Sequence, residues 1–386
     1  VLAEHYQSPV EFDIISVRQK RFAALPIPAQ GGMVRPKKRQ PYYIGAGSME
    51  RRLLGKSGLQ VSALSFGAMT FGGEGMMAMV GNTQEAEADR LVGICIEGGI
   101  NFFDTADAYS NGRSEEILGH ALRDKRHDVV LATKAWGRMG KGPNDLGASR
   151  LHVVQACEAS LRRLKTDYID LYQIHAFDAL TPLEETLRAL DDLVGAGKVR
   201  YIGCSNYAGW QLMKALAISD AHGFERYISH QLYYSIAGRD AETDLLPVGV
   251  DQGVGTIVWS PLAFGLLTGK FRRGQPDPEG ARGTLAGAPG GGIDRERLDT
   301  ITDALAEVAE ARGATMAHVA MNYLLRKPAI STVLFGARNE EQLRDNIAAA
   351  SWTMNDDELA KLDAASARPL PYPQWAQSGV FAERNP

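Results

Sequence analysis

The stretch Asn101-Phe102-Phe103-Asp104-Thr105-Ala106-Asp107-Ala108-Tyr109 reads as a short apolar strand that stops on a carboxylate and turns toward a phenol. It follows an amphipathic helix candidate, Gln84 to Glu97. The same alternation of short apolar and longer amphipathic runs continues from Leu53 onward, the pattern of a parallel sheet whose strands are joined by helices. Strand candidates are Ala63 to Gly67, Asn101 to Asp104, Val129 to Thr133, Tyr168 to His175, Val199 to Ser205, Tyr227 to Leu232, Thr256 to Ser260 and Thr332 to Phe335. Further helix candidates are Leu151 to Leu164, Leu183 to Val194 and Trp210 to Ala221. In the second of these, Leu183, Thr186, Leu187, Leu190 and Leu193 share one face, while Glu184, Glu185 and Arg188 stay in water. Eight such strands point to an α/β chain folded as a (β/α)8 TIM barrel.

Before the first barrel strand, Arg51 to Leu54 and Leu59 to Val61 flank Gly55-Lys56-Ser57-Gly58. This predicts an N-terminal β-hairpin that plugs the barrel floor. The Gly-Lys-Ser is not a Walker loop, because position 50, where that loop needs glycine, is Glu50. Nor does a strand lead into G-x-G-x-x-G, since Gly45-Ala46-Gly47 continues as Ser48-Met49-Glu50. A dinucleotide would need a holder other than a Rossmann domain.

The chain has 386 residues, with 42 Lys and Arg against 46 Asp and Glu, so it carries no general attraction for nucleic acid or anionic lipid. No run reaches the roughly twenty uninterrupted apolar residues of a bilayer span. Cys95, Cys157 and Cys204 are too few and too scattered for a disulfide framework or a CxxC site, which favours a cytoplasmic setting. The histidines form no HExxH pair, so no metal is expected. Residues 1–48 are basic and aperiodic, and Gly47-Ser48 before Met49 reads as a tag or linker junction. The alternative is a natural extension that contacts a partner. The barrel then covers residues 49–368 and leaves a tail over residues 369–386, where Pro369, Pro371 and Pro373 stop any helix after Ala367.

Several strand candidates finish on chemically active groups: Asp104, Lys134, His175, Ser205 with Asn206, Gln231, and Trp259 with Ser260. In a parallel barrel those ends converge on the rim where barrel enzymes keep their sites. Any one of them alone is an ordinary cap, solvated tip or core group.

Phe102-Phe103-Asp104-Thr105-Ala106-Asp107-Ala108-Tyr109, Ala132-Thr133-Lys134 and Asp170-Leu171-Tyr172-Gln173-Ile174-His175 resemble successive signatures of the aldo-keto reductases. Gly203-Cys204-Ser205-Asn206, Trp259-Ser260-Pro261-Leu262 and Gly336-Ala337-Arg338-Asn339-Glu340-Glu341-Gln342-Leu343 continue the match in the same order. Within that family the chain is most similar to bacterial reductases and potassium-channel β-subunits. The resemblance implies reduction of a small-molecule carbonyl by NADP(H), with Tyr109 as proton donor beside Asp104, Lys134 and His175. Hydride reaching a carbonyl carbon leaves charge on oxygen, and a phenol of ordinary pKa about 10 is a weak donor. An ammonium at Lys134 would strengthen it, Asp104 would hold the lysine, and His175 would hydrogen-bond the substrate oxygen.

The same resemblance puts Ser205, Asn206 and Gln231 on the nicotinamide carboxamide, and Trp259 on its ring. Leu262, Gly265 and Lys270 fall at the pyrophosphate, with the glycine-rich stretch Gly283 to Gly292 near it, and Ser260 and Arg282 are further cofactor positions. Arg338, Gln342 and Asn346 fall at the adenosine end, where the Arg338 guanidinium suits a 2'-phosphate, and Gly336 is a further cofactor position. Gly67, Met69 and Asp104 complete the cofactor positions. His230 stands where many relatives have asparagine and faces either the substrate or only its own strand end.

Met69, Phe71, Trp136, Met139 and Tyr233 are expected to line the substrate pocket, and Tyr372, Trp375 and Phe381 belong to a tail that either folds over the rim as a lid or packs on the wall. Such a pocket favours a hydrophobic or aromatic carbonyl compound. The other reading is a regulatory subunit that carries NADPH and reports redox state, as channel β-subunits do. Those subunits have asparagine where this chain has His175, which favours the enzyme. The family includes monomers and symmetric assemblies, so a homo-oligomer is one expectation.

Overall fold

The computed structural model describes residues 49–278 and 293–380. Residues 1–48, Arg282 with the Gly283–Gly292 loop, and Phe381 lie outside the described residues.

Eight parallel strands close into a barrel in the order β10-β3-β4-β5-β6-β7-β8-β9. In chain order these are β3 (Leu64–Gly67), β4 (Phe102–Asp104), β5 (Val130–Ala135), β6 (Ile169–Ile174), β7 (Val199–Ser205), β8 (Tyr227–Tyr233), β9 (Gly255–Trp259) and β10 (Ile330–Phe335). All eight coincide with the sequence expectations to within two residues at each end. Around them lie α1 (Glu85–Glu97), α2 (Arg113–Leu122), α3 (Arg150–Leu164), α4 (Leu183–Gly195), α5 (Gly209–His222), α6 (Leu245–Gln252), α7 (Arg295–Arg312), α8 (Met316–Leu325), α9 (Glu340–Ala348) and α10 (Asp356–Ala365).

Helix α4 shows why the segments settle as they do. Leu183, Leu187, Leu190 and Leu193 are buried, while Glu184, Glu185 and Arg188 are exposed. Burial contributes about 1.5–3 kcal/mol for each such leucine, against a few tenths for a surface ion pair. The apolar face decides.

Strand periodicity divides the barrel interior into two storeys. At the bottom, Phe102, Val130, Ala132, Leu171 and Ile257 meet Leu54 and Val61 in a separate apolar cluster. Leu54 and Val61 come from the expected hairpin, β1 (Arg51–Leu53) and β2 (Gln60–Ser62). Two residues further up the same inward-facing rows stand Asp104, Lys134, Gln173 and Trp259, so the top storey is polar. The hairpin turn fits the floor because Gly55 has φ +65° and a Cβ there would come within 2.4 Å of the Gly253 carbonyl oxygen.

The tail differs from its expectation. The prolines do end the chain's run after α10, yet a further short helix, α11 (Gln374–Val380), forms directly after Pro373. Proline is tolerated at a helix start, where no N–H is needed. The tail is moored beside the barrel rim. Gln374 Nε2 donates to the Thr243 carbonyl at 2.8 Å, and Arg368 pairs with Asp240.

Candidate active site

Parallel registry sets the cluster. Asp104 of β4 lies opposite Ala132 of β5, and Lys134, two residues on, lies opposite Gln173 of β6. Lys134 Nζ donates to Asp104 Oδ1 at 2.5 Å and to the Thr105 carbonyl at 2.7 Å. Asp104 Oδ2 accepts from Gln173 Nε2 at 3.1 Å and from Gln231 Nε2 at 2.9 Å. Both members of the ion pair are fully buried. A charge pair in that position is tolerable only because its remaining lone pairs and protons have partners.

Tyr109 is partly buried above this pair, its ring centroid 5.1 Å from Lys134 Nζ and 5.7 Å from the His175 ring, which it meets edge-on. The turn that carries it is bolted to the β3–α1 connection. Ser110 Oγ donates to the Phe71 carbonyl at 2.8 Å, and Ser114 Oγ to the Ala68 carbonyl at 2.7 Å. Ser110 and Asn111 take left-handed backbone angles there, with φ of 48° and 54°.

The electrostatics sharpen one expectation and correct another. Burial pushes the Tyr109 phenol above its ordinary pKa, Lys134 pulls it back, and Asp104 cancels part of that pull. Lys134 therefore offsets the cost of burial without making the phenol a stronger acid than a free one. Burial opposes the charge on Lys134, but Asp104 and Tyr109 more than compensate and hold the ammonium above its usual value. Burial, then the Lys134 charge, takes His175 down to about 3. Its imidazole is a neutral donor.

The nicotinamide candidates gather on the same rim. Asn206, with φ 56°, donates from Nδ2 to the His175 carbonyl and to Ser205 Oγ, both at 3.0 Å, and accepts from Trp259 Nε1 at 3.1 Å. Gln231 lies opposite Ser205. Its amino end is taken by Asp104, which leaves its carbonyl end for a carboxamide donor. The rings of Tyr233, Trp259 and Phe264 pack together, Tyr233 and Trp259 at 5.2 Å between centroids.

At the other end, Arg338 Nε donates to the Val80 carbonyl at 3.0 Å, so its two terminal amino groups remain clear of any acidic partner among the described residues. The Arg338 N–H meets Gln342 Oε1 at 3.1 Å, Asn346 Nδ2 meets the Gly336 carbonyl at 3.3 Å, and Asn339 caps α9. Lys270 is exposed and likewise has no acidic partner among the described residues.

Two expectations move, and one open alternative is decided. Phe71 is fully buried against Phe66, with centroids 5.8 Å apart, in the layer between strands and helices. It supports the Tyr109 turn through its carbonyl and does not line a pocket. His230 is also buried: its Nε2 accepts the Tyr207 N–H at 3.2 Å, so it serves its strand end. Tyr372 and Trp375 meet each other at a tilt, with ring centroids 6.1 Å apart, and are 76 % and 55 % exposed, sharing no ring contact or hydrogen bond with the cluster. Met69, Trp136 and Tyr233 remain partly open at the rim. Sequence reasoning missed Gln173, whose position two residues before His175 on an inward-facing row was the available signal.

Among the described residues, no group of acidic, histidine and cysteine side chains could hold a metal, and no helix is long and apolar enough to cross a membrane. The chain is 38 % identical over 310 residues to a probable voltage-gated potassium channel β-subunit of Arabidopsis thaliana, covering 78 % of this chain and 91 % of that one. It is 36 % identical over 326 residues to the uncharacterised oxidoreductase YrpG of Bacillus subtilis, covering 82 % and 95 %. With the versiconal hemiacetal acetate reductase of Aspergillus parasiticus it shares 34 % over 342 residues, covering 82 % and 96 %. The sequence profile of the Aldo/keto reductase family matches residues 63–367, most of the barrel just described, and the chain belongs to that family.

Proposed function

We propose that this chain is an NADPH-dependent reductase of aldehydes or ketones, with Tyr109 as proton donor. The observation that carries the reading is the buried Asp104–Lys134 pair beneath Tyr109 with a neutral His175 at its edge. NADPH supplies the hydride when bound. Tyr109 starts as a neutral phenol and gives up its proton as charge builds on the substrate oxygen. Lys134 stabilises the phenolate that remains, and Asp104 keeps the ammonium fixed. His175 donates a hydrogen bond to the same oxygen, which is useful only because the imidazole is uncharged and holds a defined N–H. Trp259 and the Asn206 amide orient the nicotinamide, and Arg338 takes the 2'-phosphate.

Met69, Trp136 and Tyr233 around the opening support a hydrophobic or aromatic carbonyl compound as substrate. The buried, unpaired Cys95, Cys157 and Cys204 support a reducing, cytoplasmic setting. The similarity to potassium channel β-subunits supports a second reading, an NADPH-carrying redox sensor. An NADPH-consumption assay across a panel of aromatic aldehydes and ketones separates the two. Turnover is expected; tight NADPH binding with no oxidation by any carbonyl would favour the sensor.

A further inference from the structure

Asp107 lies in the turn between Asp104 and Tyr109, and the chemistry above gives it no part. Its main-chain N–H donates to the Lys134 carbonyl at 3.1 Å, and the Thr105 N–H to the Ala132 carbonyl at 2.9 Å. With Lys134 Nζ on the Thr105 carbonyl, the turn is clamped to β5 on both sides of the lysine. The Asp107 side chain is fully buried, and neither carboxyl oxygen has a well-formed hydrogen bond; its nearest donor is the Ala108 main-chain N–H of its own turn.

The charged and titratable groups facing it are Lys134 from β5, Glu115 from α2, Arg163 from α3, Tyr172 from β6 and Tyr109 from its own turn. None of the cations is free. Arg163 Nε is held by Glu115 Oε2 at 2.6 Å, while Glu115 Oε1 accepts the Thr133 hydroxyl at 2.6 Å. Lys134 belongs to Asp104. On the remaining side Gly137 closes over the turn, where a Cβ would come within 2.6 Å of Ala108 Cβ and 3.8 Å of Asp107 Oδ1. The His152 ring of α3 lies beside the main chain of Gly137 and Asn144 in the same loop. An ionised carboxylate here would be dry and without an ion-pair partner of its own, with only the Ala108 main-chain N–H and two already committed cations to offset its burial, an expensive state that protonation avoids.

We propose that Asp107 is kept as a neutral carboxylic acid at neutral pH, and that its ionisation in mildly alkaline solution weakens proton donation by Tyr109. Asp107 thus acts as a positioning residue. The proposal rests on Tyr109 being the donor. Burial, and then the neighbouring Glu115 charge, pushes its pKa up to about 8. Once ionised, it places a second negative charge beside Tyr109, raises the phenol's pKa further, and leaves a charge without an ion-pair partner inside the turn that positions it.

The test compares wild type with Asp107→Asn. A protonated-carboxyl stretch in the infrared spectrum of the wild type is expected at pH 6, lost by pH 9.5 and absent from the variant. The wild-type reduction kcat should fall roughly five- to tenfold between pH 7.5 and 9 as that proton leaves, while the variant's profile stays flat to within about twofold over the same interval. Melting temperatures add a readout that needs no turnover. The native state keeps a proton that the unfolded chain releases above pH about 4, so wild-type stability falls with pH from there to about 8. The difference in Tm, variant minus wild type, should therefore grow from pH 5 to pH 8.

Absence of the carboxyl band at pH 6, or identical alkaline profiles for the two proteins, would overturn the proposal. If Asp107→Asn does not fold, the wild-type infrared titration decides alone. The donor assignment is tested separately by Tyr109→Phe. Turnover by that protein would refute the donor while leaving the infrared titration of Asp107 intact.

Discussion

Lys134 Nζ sits 2.5 Å from Asp104 Oδ1 with both side chains sealed from water, so the charge on the lysine depends on the aspartate. Asp104→Asn removes the compensating charge and leaves an ammonium in a dry site. The variant should lose about 3–5 kcal/mol of stability in urea unfolding, together with most of its turnover. Stability within about 1 kcal/mol of wild type would show that the pair does not hold the lysine.

His175 answers to a pH measurement. Its native pKa of about 3 lies far below the ordinary value of 6.5, so the unfolded chain binds the extra proton first. Its contribution to stability is intact above pH about 6.5 and is lost as pH falls toward 3. His175→Gln should therefore narrow the acid-induced drop in Tm below pH 6, with no effect of that kind above pH 7. NMR titration should find no His175 protonation between pH 5 and 8. An imidazole that titrates in that window would make the neutral-donor role untenable.

The Arg338 guanidinium is anchored through Nε to the Val80 carbonyl, with no acidic partner for its terminal nitrogens among the described residues. A charge-assisted contact to a phosphate is worth about 1.5–3 kcal/mol, so Arg338→Ala should raise the Kd for NADPH roughly ten- to hundredfold and that for NADH by less than about threefold. Equal losses for both cofactors would mean that the arginine does not read the 2'-phosphate.

The hairpin plug offers an internally controlled stability test. Gly55→Ala puts a Cβ against the main chain of Gly253 and Gly255 and should cost about 1–3 kcal/mol, whereas Gly58, with nothing within 4 Å of its Cβ position, should accept alanine with little change. Equal effects at the two positions would argue against the floor packing.

The barrel was legible because its strands are short apolar runs at regular intervals, and because polar residues sit where those runs stop. That pattern located Asp104, Lys134, His175, Ser205 and Gln231 on one rim. It could not distinguish the two sides of a loop. Phe71 looked like a pocket residue because it follows a strand, yet its ring turns outward onto Phe66 while its carbonyl supports the Tyr109 turn. Gln173 and Asp107 were hidden for the opposite reason: each lies inside a recognisable motif, and only side-chain partners, or their absence, reveal what it does. The net effect of Lys134 on Tyr109 was also beyond the sequence, because it depends on how completely burial outweighs one nearby charge.

In the proposed reaction Tyr109 delivers the proton from above the Lys134–Asp104 pair. The most direct test is Tyr109→Phe, which deletes one oxygen and keeps the ring that packs beside His175. Carbonyl-dependent NADPH consumption should fall by at least about a hundredfold, with the NADPH Kd unchanged to within about twofold. Retention of wild-type turnover with intact cofactor binding would contradict the account and move the proton donor elsewhere on the rim.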